Sequence, residues 1–173
     1  MNTHLIRMAE LFQPRILCVI EIQEISFEFI SGVWAEKLWP KRVSAIEPVS
    51  AINEHGIIDA EILKYPPVFW GAFVEKKLVG VISCHPTSKE NFRLRGIFVD
   101  EEYRSLKIGK LLIEQVVSHA DTNGASLVWA LVRQSNRDYF TKFDFKVLNE
   151  TSAYEFGPHF LMGKRLKLPP IGI

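Results

Sequence analysis

Hydrophobic and polar positions alternate clearly in the middle of the chain and lose their period toward both ends. Residues 68 to 75 (VFWGAFVE) and 78 to 85 (LVGVISCH) are apolar runs of strand length, which predicts a β-hairpin turning at Lys76-Lys77. Residues 91 to 99 (NFRLRGIFV) predict a third strand. Strict alternation puts Arg93, Arg95, Ile97 and Val99 on one face, with Phe92, Leu94 and Phe98 on the other. A charged loop from Asp100 to Lys107 leads into a helix whose Ile108, Leu111, Leu112, Val116 and Ala120 form an apolar stripe. Asn123-Gly124 stops that helix. Residues 126 to 132 (SLVWALV) are continuously apolar, as in a strand buried on both faces. Asn136 to Phe143 predicts a short helix, and residues 145 to 156 and 159 to 166 a closing strand pair around Gly157-Pro158.

The first third of the chain is less regular. Residues 1 to 15 read as a tail or short helix, and residues 16 to 27 (ILCVIEIQEISF) as a strand rich in β-branched positions. Phe27, Ile30, Trp34 and Leu38 stand near helical spacing, and Pro40 ends that helix. Residues 41 to 56 are irregular, and Asp59 to Tyr65 predicts a short helix stopped by Pro66-Pro67. The order is α/β: hairpin, strand, helix, strand, helix, two strands. The strand–helix–strand unit at 91 to 132 predicts a right-handed parallel crossover, and the flanking hairpins make the sheet mixed and mostly antiparallel.

Composition narrows the function. The chain has 173 residues, one domain's worth, and its 21 Lys plus Arg against 20 Asp plus Glu give a net charge of +1. Bulk attraction to nucleic acid or to an anionic membrane is not expected, so any anion site must be built locally. Cys18 and Cys84 form no CxxC, and the scattered histidines His4, His55, His85, His119 and His159 form no metal motif. No apolar run is long enough to span a bilayer, and the opening residues lack a signal-peptide pattern. A cytoplasmic protein with reduced thiols and no metal is the expectation.

The chemistry concentrates at Val99 to Leu112 (VDEEYRSLKIGKLL), where a strand runs through a polar loop into a helix. A helix start offers unpaired N–H groups and partial positive charge, a setting for phosphate; Arg104, Lys107 and Lys110 add cations. An ordinary solvated loop has the same features.

The stretch LRGIFVDEEYRSLKIGKLLIEQVV resembles the acetyl-CoA-binding segment of the GNAT superfamily of N-acetyltransferases. The matching residues are Val99, Asp100, Glu102, Tyr103, Arg104 and Gly109, in a pattern of Tyr-Arg followed by (Arg/Gln)-x-x-Gly-x-(Gly/Ala). NRDYFTKFDF (136 to 145) resembles the family's Asn…Tyr-x-x-x-Gly-Phe helix, and HFLMGKRL (159 to 166) its last strand. The likeness covers about residues 68 to 166. It implies the GNAT fold over a single domain, with residues 16 to 66 on the acceptor side. It also implies transfer of an acetyl group from acetyl-CoA to a primary amine of a small or amino-acid-like acceptor. A protein or peptide acetyltransferase, and an acyl-CoA-binding sensor with weak turnover, stand as alternatives. A homodimer is implied by analogy with relatives.

By the same resemblance, acetyl-CoA falls to Ile97, Phe98 and Val99, to Arg104, Ser105, Leu106, Lys107, Ile108, Gly109 and Lys110, and to Asn136 and Phe140. Two glycines of the family pattern are replaced here, by Lys107 and by Asp144. The family's tyrosine, a proton donor to the departing thiolate, falls on Phe140, and the neighbouring Tyr139 is the candidate catalytic residue. A glutamate used by some members falls on Arg93. Tyr154, His159, His85 and a water chain are further candidates for proton transfer. Arg93 and Arg95 are candidate substrate residues, because a guanidinium pair suits a carboxylate or phosphate. Pairing with local acids such as Glu90 or Asp138 is the alternative. Trp34, Trp39 and Trp70 could line an acceptor pocket or fill the core. Asn136 suits both the pantetheine arm and a helix N-cap.

Overall fold

A computed structural model describes residues 19–151 and 157–166. The first strand, β1, is Ile20–Glu24, the centre of the predicted run; positions 16 to 18 lie outside the described residues. Helix α1 (Phe27–Val33) continues into a π-helical turn at Trp34–Leu38, where the Trp39 N–H donates to the Trp34 carbonyl at 2.8 Å. Pro40 follows at once, as predicted. Ile30 and Trp34 are fully buried under this helix with Phe69 and Val81. Asp59 caps a 3₁₀ turn at Ala60–Lys64, accepting from the Glu61 N–H at 3.0 Å.

Strands β2 (Val68–Val74) and β3 (Lys77–Pro86) form the expected hairpin, but the turn lies one residue earlier than predicted. Glu75 and Lys76 both have positive φ, 50° and 68°, while Lys77 already pairs with Val74. Two left-handed residues match the twist of the strands, so the turn forms without the usual glycine.

Strand β4 (Asn91–Val99) departs from strict alternation. Its pairing with β3 shifts between Val81↔Phe98 and Ser83↔Arg95, leaving an extra residue on β4, and Gly96 within the bulge has φ 66°. The bulge reverses the side-chain faces beyond it. Ile97 and Val99 therefore join Phe92 and Leu94 against the larger core, while Phe98 turns to the α1 side that Arg95 occupies. The predicted set of Arg93, Arg95, Ile97 and Val99 on one face is thus corrected.

Helix α2 (Ile108–Thr122) buries Ile108, Gly109, Leu112, Ile113, Val116 and Ala120. Leu111, placed in the stripe by spacing, is 36% exposed. At 100° per residue it sits roughly 130° from the centre of the buried arc. Gly124, with φ 78°, ends the helix as expected. Strand β5 (Leu127–Arg133) is the buried strand, followed by helix α3 (Arg137–Thr141) and strands β6 (Lys146–Thr151) and β7 (His159–Arg165). Asp144, replacing a glycine of the family pattern, is left-handed at φ 65° after α3.

The sheet order is β1-β2-β3-β4-β5-β7-β6. Among the described residues β4 and β5 are the parallel pair, joined through α2, and the other pairings are antiparallel. The larger core fills the α2 face, and Trp34 and Trp129 anchor two smaller clusters on the other.

Candidate active site

Strands β4 and β5 pair only from Asn91↔Leu127 to Leu94↔Ala130. Beyond that point β4 bulges at Gly96, while β5 stays paired to β7 as far as Arg133↔His159. The two parallel strands therefore part, and main-chain groups facing the gap lose their ladder partners. A cavity of about 270 Å³ occupies this opening. Gly96, Ile97, Leu131, Val132, Asn136, Phe140 and His159 line it, along with Trp39, Arg42 and Ser50 from the irregular segment.

Beyond the bulge β4 ends at Val99, and the chain enters a 3₁₀ turn, Glu101–Leu106, which carries Arg104, Ser105 and Leu106. Lys107 then turns left-handed, φ 60° and ψ 20°, directly before α2. That conformation explains why the family pattern has glycine there. The lysine adopts it at some cost, and no ion pair engages its side chain among the described residues. The amides of Ile108, Gly109 and Lys110 open α2, where the helix itself offers them no acceptor. Arg104 Nε donates to the Val99 carbonyl at 3.2 Å, which ties the loop to the end of β4. Lys110 pairs with Glu114 at 2.8 Å along the helix surface.

Gly109 is the tightest point of this junction. A Cβ there would collide with the Tyr139 hydroxyl, so the phenol rests against the first turn of α2. Its ring stacks edge-on against Phe143 and Phe140, and partial burial raises its pKa, keeping the proton on oxygen. Phe140, 4% exposed, lines the cavity, whereas Tyr139 is not among its walls.

The arginines do different work. Arg95 is buried between the indoles of Trp34 and Trp39, at 4.7 and 5.1 Å, and donates to the carbonyls of Glu47 at 2.7 Å and Pro48 at 3.3 Å. Burial, reinforced by repulsion from Arg93 and Arg42, lowers its pKa to about 9. Arg93 lies over the Trp129 ring at 4.9 Å. Glu90 and Asp138 form no ion pair with either arginine among the described residues. Of the tryptophans, Trp39 alone lines the cavity: Trp34 lies beneath it, and Trp70 fills the α2 core against the His119 ring.

Two histidines flank the site. His85, paired across the strands with Arg93, is wholly enclosed; burial and the neighbouring arginines push its pKa down to about 3. His159 lines the cavity, and its Nδ1 lies 2.7 Å from the Gly157 carbonyl. A carbonyl only accepts, so in this contact Nδ1 is the donor. Asn136 stands at the N-cap position of α3 but makes no capping bond, and its side chain joins the cavity wall. Tyr154 lies outside the described residues.

Sequence reading missed Arg42 and Arg133. Arg42 Nε donates to Ser44 Oγ at 2.9 Å, and Arg133 donates to the Leu38 carbonyl at 2.8 Å. Arg42 sits in an aperiodic loop, and only its neighbour Trp39 hinted at a site. Arg133 is the last residue of the buried strand, the one charge after an apolar run.

Residues 33–145 match the acetyltransferase (GNAT) family, and the chain belongs to that family. It is an acyltransferase, and its acyl donor is acetyl-CoA. One relative, an uncharacterized N-acetyltransferase, YitI of Bacillus subtilis (strain 168), is 30% identical over 104 residues, 56% of this chain and 70% of its own length. Among solved structures, Ard1 from Thermoplasma volcanium superimposes with a TM-score of 0.63 at 18% identity, over 86% of this chain and 98% of the other. An aminoglycoside 6′-N-acetyltransferase complexed with coenzyme A reaches 0.65 at 14% identity, over 87% and 99%. Arabidopsis thaliana Naa50 with the bisubstrate analogue CoA-Ac-MVNAL reaches 0.63 at 18%, over 85% and 99%. At these identities the structural likeness speaks for the fold.

The residues present fit the cofactor. The parted strands leave room for an extended arm, and the α2 start offers amides beside Arg104 and Lys107. Gly109 is held bare by Tyr139. Within the predicted strand segment, Ile97 lines the gap, Val99 packs beside Gly109, and Phe98 faces the opposite layer.

Proposed function

We propose that the protein transfers an acetyl group from acetyl-CoA to a primary amine of a small, amino-acid-like acceptor. The observation that carries this reading is the cavity of about 270 Å³ at the parted strands, lined in part by Trp39 and Arg42. Its size suits a small molecule better than a polypeptide.

Bound acetyl-CoA supplies an acetyl group activated as a thioester. The chain's part is positional and electrostatic. Amides of Ile108, Gly109 and Lys110, with Arg104 and Lys107, would hold its pyrophosphate. Asn136 and the apolar walls Ile97, Val132 and Phe140 would hold its arm. The β4 main chain beyond Leu94, released from β5, supplies donors for negative charge developing on the carbonyl oxygen. His159, in the cavity wall, takes the amine proton. His85 does not serve, because a group of pKa about 3 is too weak a base and lines no part of the cavity. In balance, a C–N bond forms and a C–S bond breaks. The thiolate leaves with the electron pair, as a thiol pKa of about 8.5 permits without a strong acid. Tyr139, whose protonated hydroxyl lies against Gly109, acts on the cofactor side.

Free-thiol release from acetyl-CoA against a panel of primary amines tests this. Turnover with at least one small amine, reduced at least tenfold by His159→Gln, is expected. A sensor that binds acyl-CoA without turnover is the competing reading, favoured by the hydroxyl-free Phe140 in the cavity wall. A melting shift with acetyl-CoA and no thiol release with any amine would establish the sensor instead.

A further inference from the structure

We propose that Arg95 is a positioning residue, which fixes the irregular segment from Trp39 to Ser50 as a wall of the acceptor cavity and does not itself bind the acceptor. This rests on the acetyltransferase reading and says how that same site is held in shape.

Residues 43 to 50 carry no helix or strand, and among the described residues their main chain exchanges no hydrogen bond with other main chain. Yet Ser50 lines the cavity, as do Trp39 and Arg42 at the start of the segment. Such a wall needs its partners from side chains. Ile46 and Val49 pack inward, but apolar contact is non-directional and sets no register.

Arg95 supplies the direction. One of its guanidinium nitrogens donates to the carbonyls of Glu47 and Pro48, at 2.7 and 3.3 Å. The same guanidinium lies 5.1 Å from the Trp39 ring centre and 4.7 Å from that of Trp34. A single side chain therefore ties both ends of the segment, Trp39 and Glu47-Pro48, to β4. Its own strand is fixed in turn. The Arg95 carbonyl accepts from the buried Ser83 hydroxyl at 2.9 Å, and the Gly96 carbonyl accepts from the Trp34 indole at 2.8 Å. The wall is thus set against the bulge that opens the cavity.

Arginine does both tasks at once, because its plane offers faces to aromatic rings while its edge keeps donors for carbonyls. Lysine has a point charge and no face. Arg95 is also buried, with no carboxylate in ion-pair contact among the described residues. A buried cation held by neutral carbonyls is a poor source of stability, since an apolar side chain of similar volume avoids the desolvation cost. What the guanidinium adds is placement.

The test compares Arg95→Met, which keeps the length and drops the charge and donors, with Arg95→Lys, by thiol release across the panel of primary amines. In Arg95→Met the KM for every amine that turns over, acidic or neutral, should rise roughly tenfold or more, with the KM for acetyl-CoA within about twofold of wild type. Arg95→Lys should lie between. Trypsin reads the wall without turnover. Cleavage after Lys41 and Arg42, identified by fragment mass, should quicken roughly tenfold in Arg95→Met while the melting temperature holds. An unchanged acceptor KM overturns the proposal, as does an equal rise in both KM values. A rise confined to acidic amines also overturns it, because Arg95 would then bind the acceptor directly. Should Arg95→Met fail to fold, Arg95→Lys decides by the same outcomes. Should no amine turn over, the acetyltransferase reading fails and trypsin decides the positioning role alone. Quickened cleavage confined to Lys41 and Arg42 supports it, and cleavage unchanged there or quickened throughout the chain rejects it.

Discussion

The Trp34 indole N–H donates to the Gly96 carbonyl at 2.8 Å, and a Cβ on Gly96 would fall on that same indole. One contact thus joins the π-helical turn after α1 to the bulge that parts β4 from β5. Gly96 also needs its positive φ of 66°. Gly96→Ala combines left-handed strain with overpacking, and a loss of about 2–4 kcal/mol is expected. Denaturant titration should show it, with melting lowered by roughly 5–15 °C. A variant as stable as the wild type would show that the indole moves aside freely.

Lys107 should separate stability from binding. Lys107→Gly removes the left-handed penalty at φ 60°, so stability should rise by about 1 kcal/mol. The same change removes a cation beside the α2 start, and affinity for CoA should fall roughly threefold to tenfold. Thermal melting and calorimetric titration read the two effects independently. Tighter CoA binding would mark the lysine as an obstruction.

Gly109 and Tyr139 form a testable pair. Gly109→Ala drives a methyl group into the Tyr139 hydroxyl, the movable end of a side chain that is 39% exposed. The expected cost is about 1–2 kcal/mol. Tyr139→Phe in the same chain should recover at least half of it, and a double-mutant cycle measures the coupling. Independent, additive effects would contradict the contact.

His85 makes stability depend on acid. Its folded pKa of about 3 lies below the ordinary value of 6.5, so between these values the unfolded chain binds a proton that the folded chain refuses. Its contribution is therefore present above pH 6.5 and is lost as pH falls toward 3. Going from pH 7 to pH 5, this one residue removes about 2 kcal/mol. In urea titrations across that range, His85→Gln should flatten the pH dependence by about that amount. An unchanged slope would place the acid sensitivity elsewhere.

Much of the architecture was legible because burial imposes a period. The unbroken apolar run of β5, the α2 stripe and the hairpin each follow from which positions must leave water. The left-handed residues at Lys107 and Asp144 were foreshadowed by the glycines they replace in the family pattern. The errors have two local causes. Alternation along β4 holds only while pairing is regular, and a single extra residue at Gly96 reversed Ile97, Phe98 and Val99. Leu111 has helical spacing, but the sheet lies against a different arc.

The sequence by itself determined the order of elements, the polar loop that leads into α2 and the family, because those depend on residues close together in the chain. Only the tertiary structure decided what lines the cavity. Arg42, Arg93, Arg133 and His159 stand far apart in the chain and come to line one cavity because β4 and β5 part and the segment carrying Trp39 and Arg42 packs beside the gap. No periodicity records that meeting, since it depends on long-range packing around Trp34 and Trp39 rather than on any local preference.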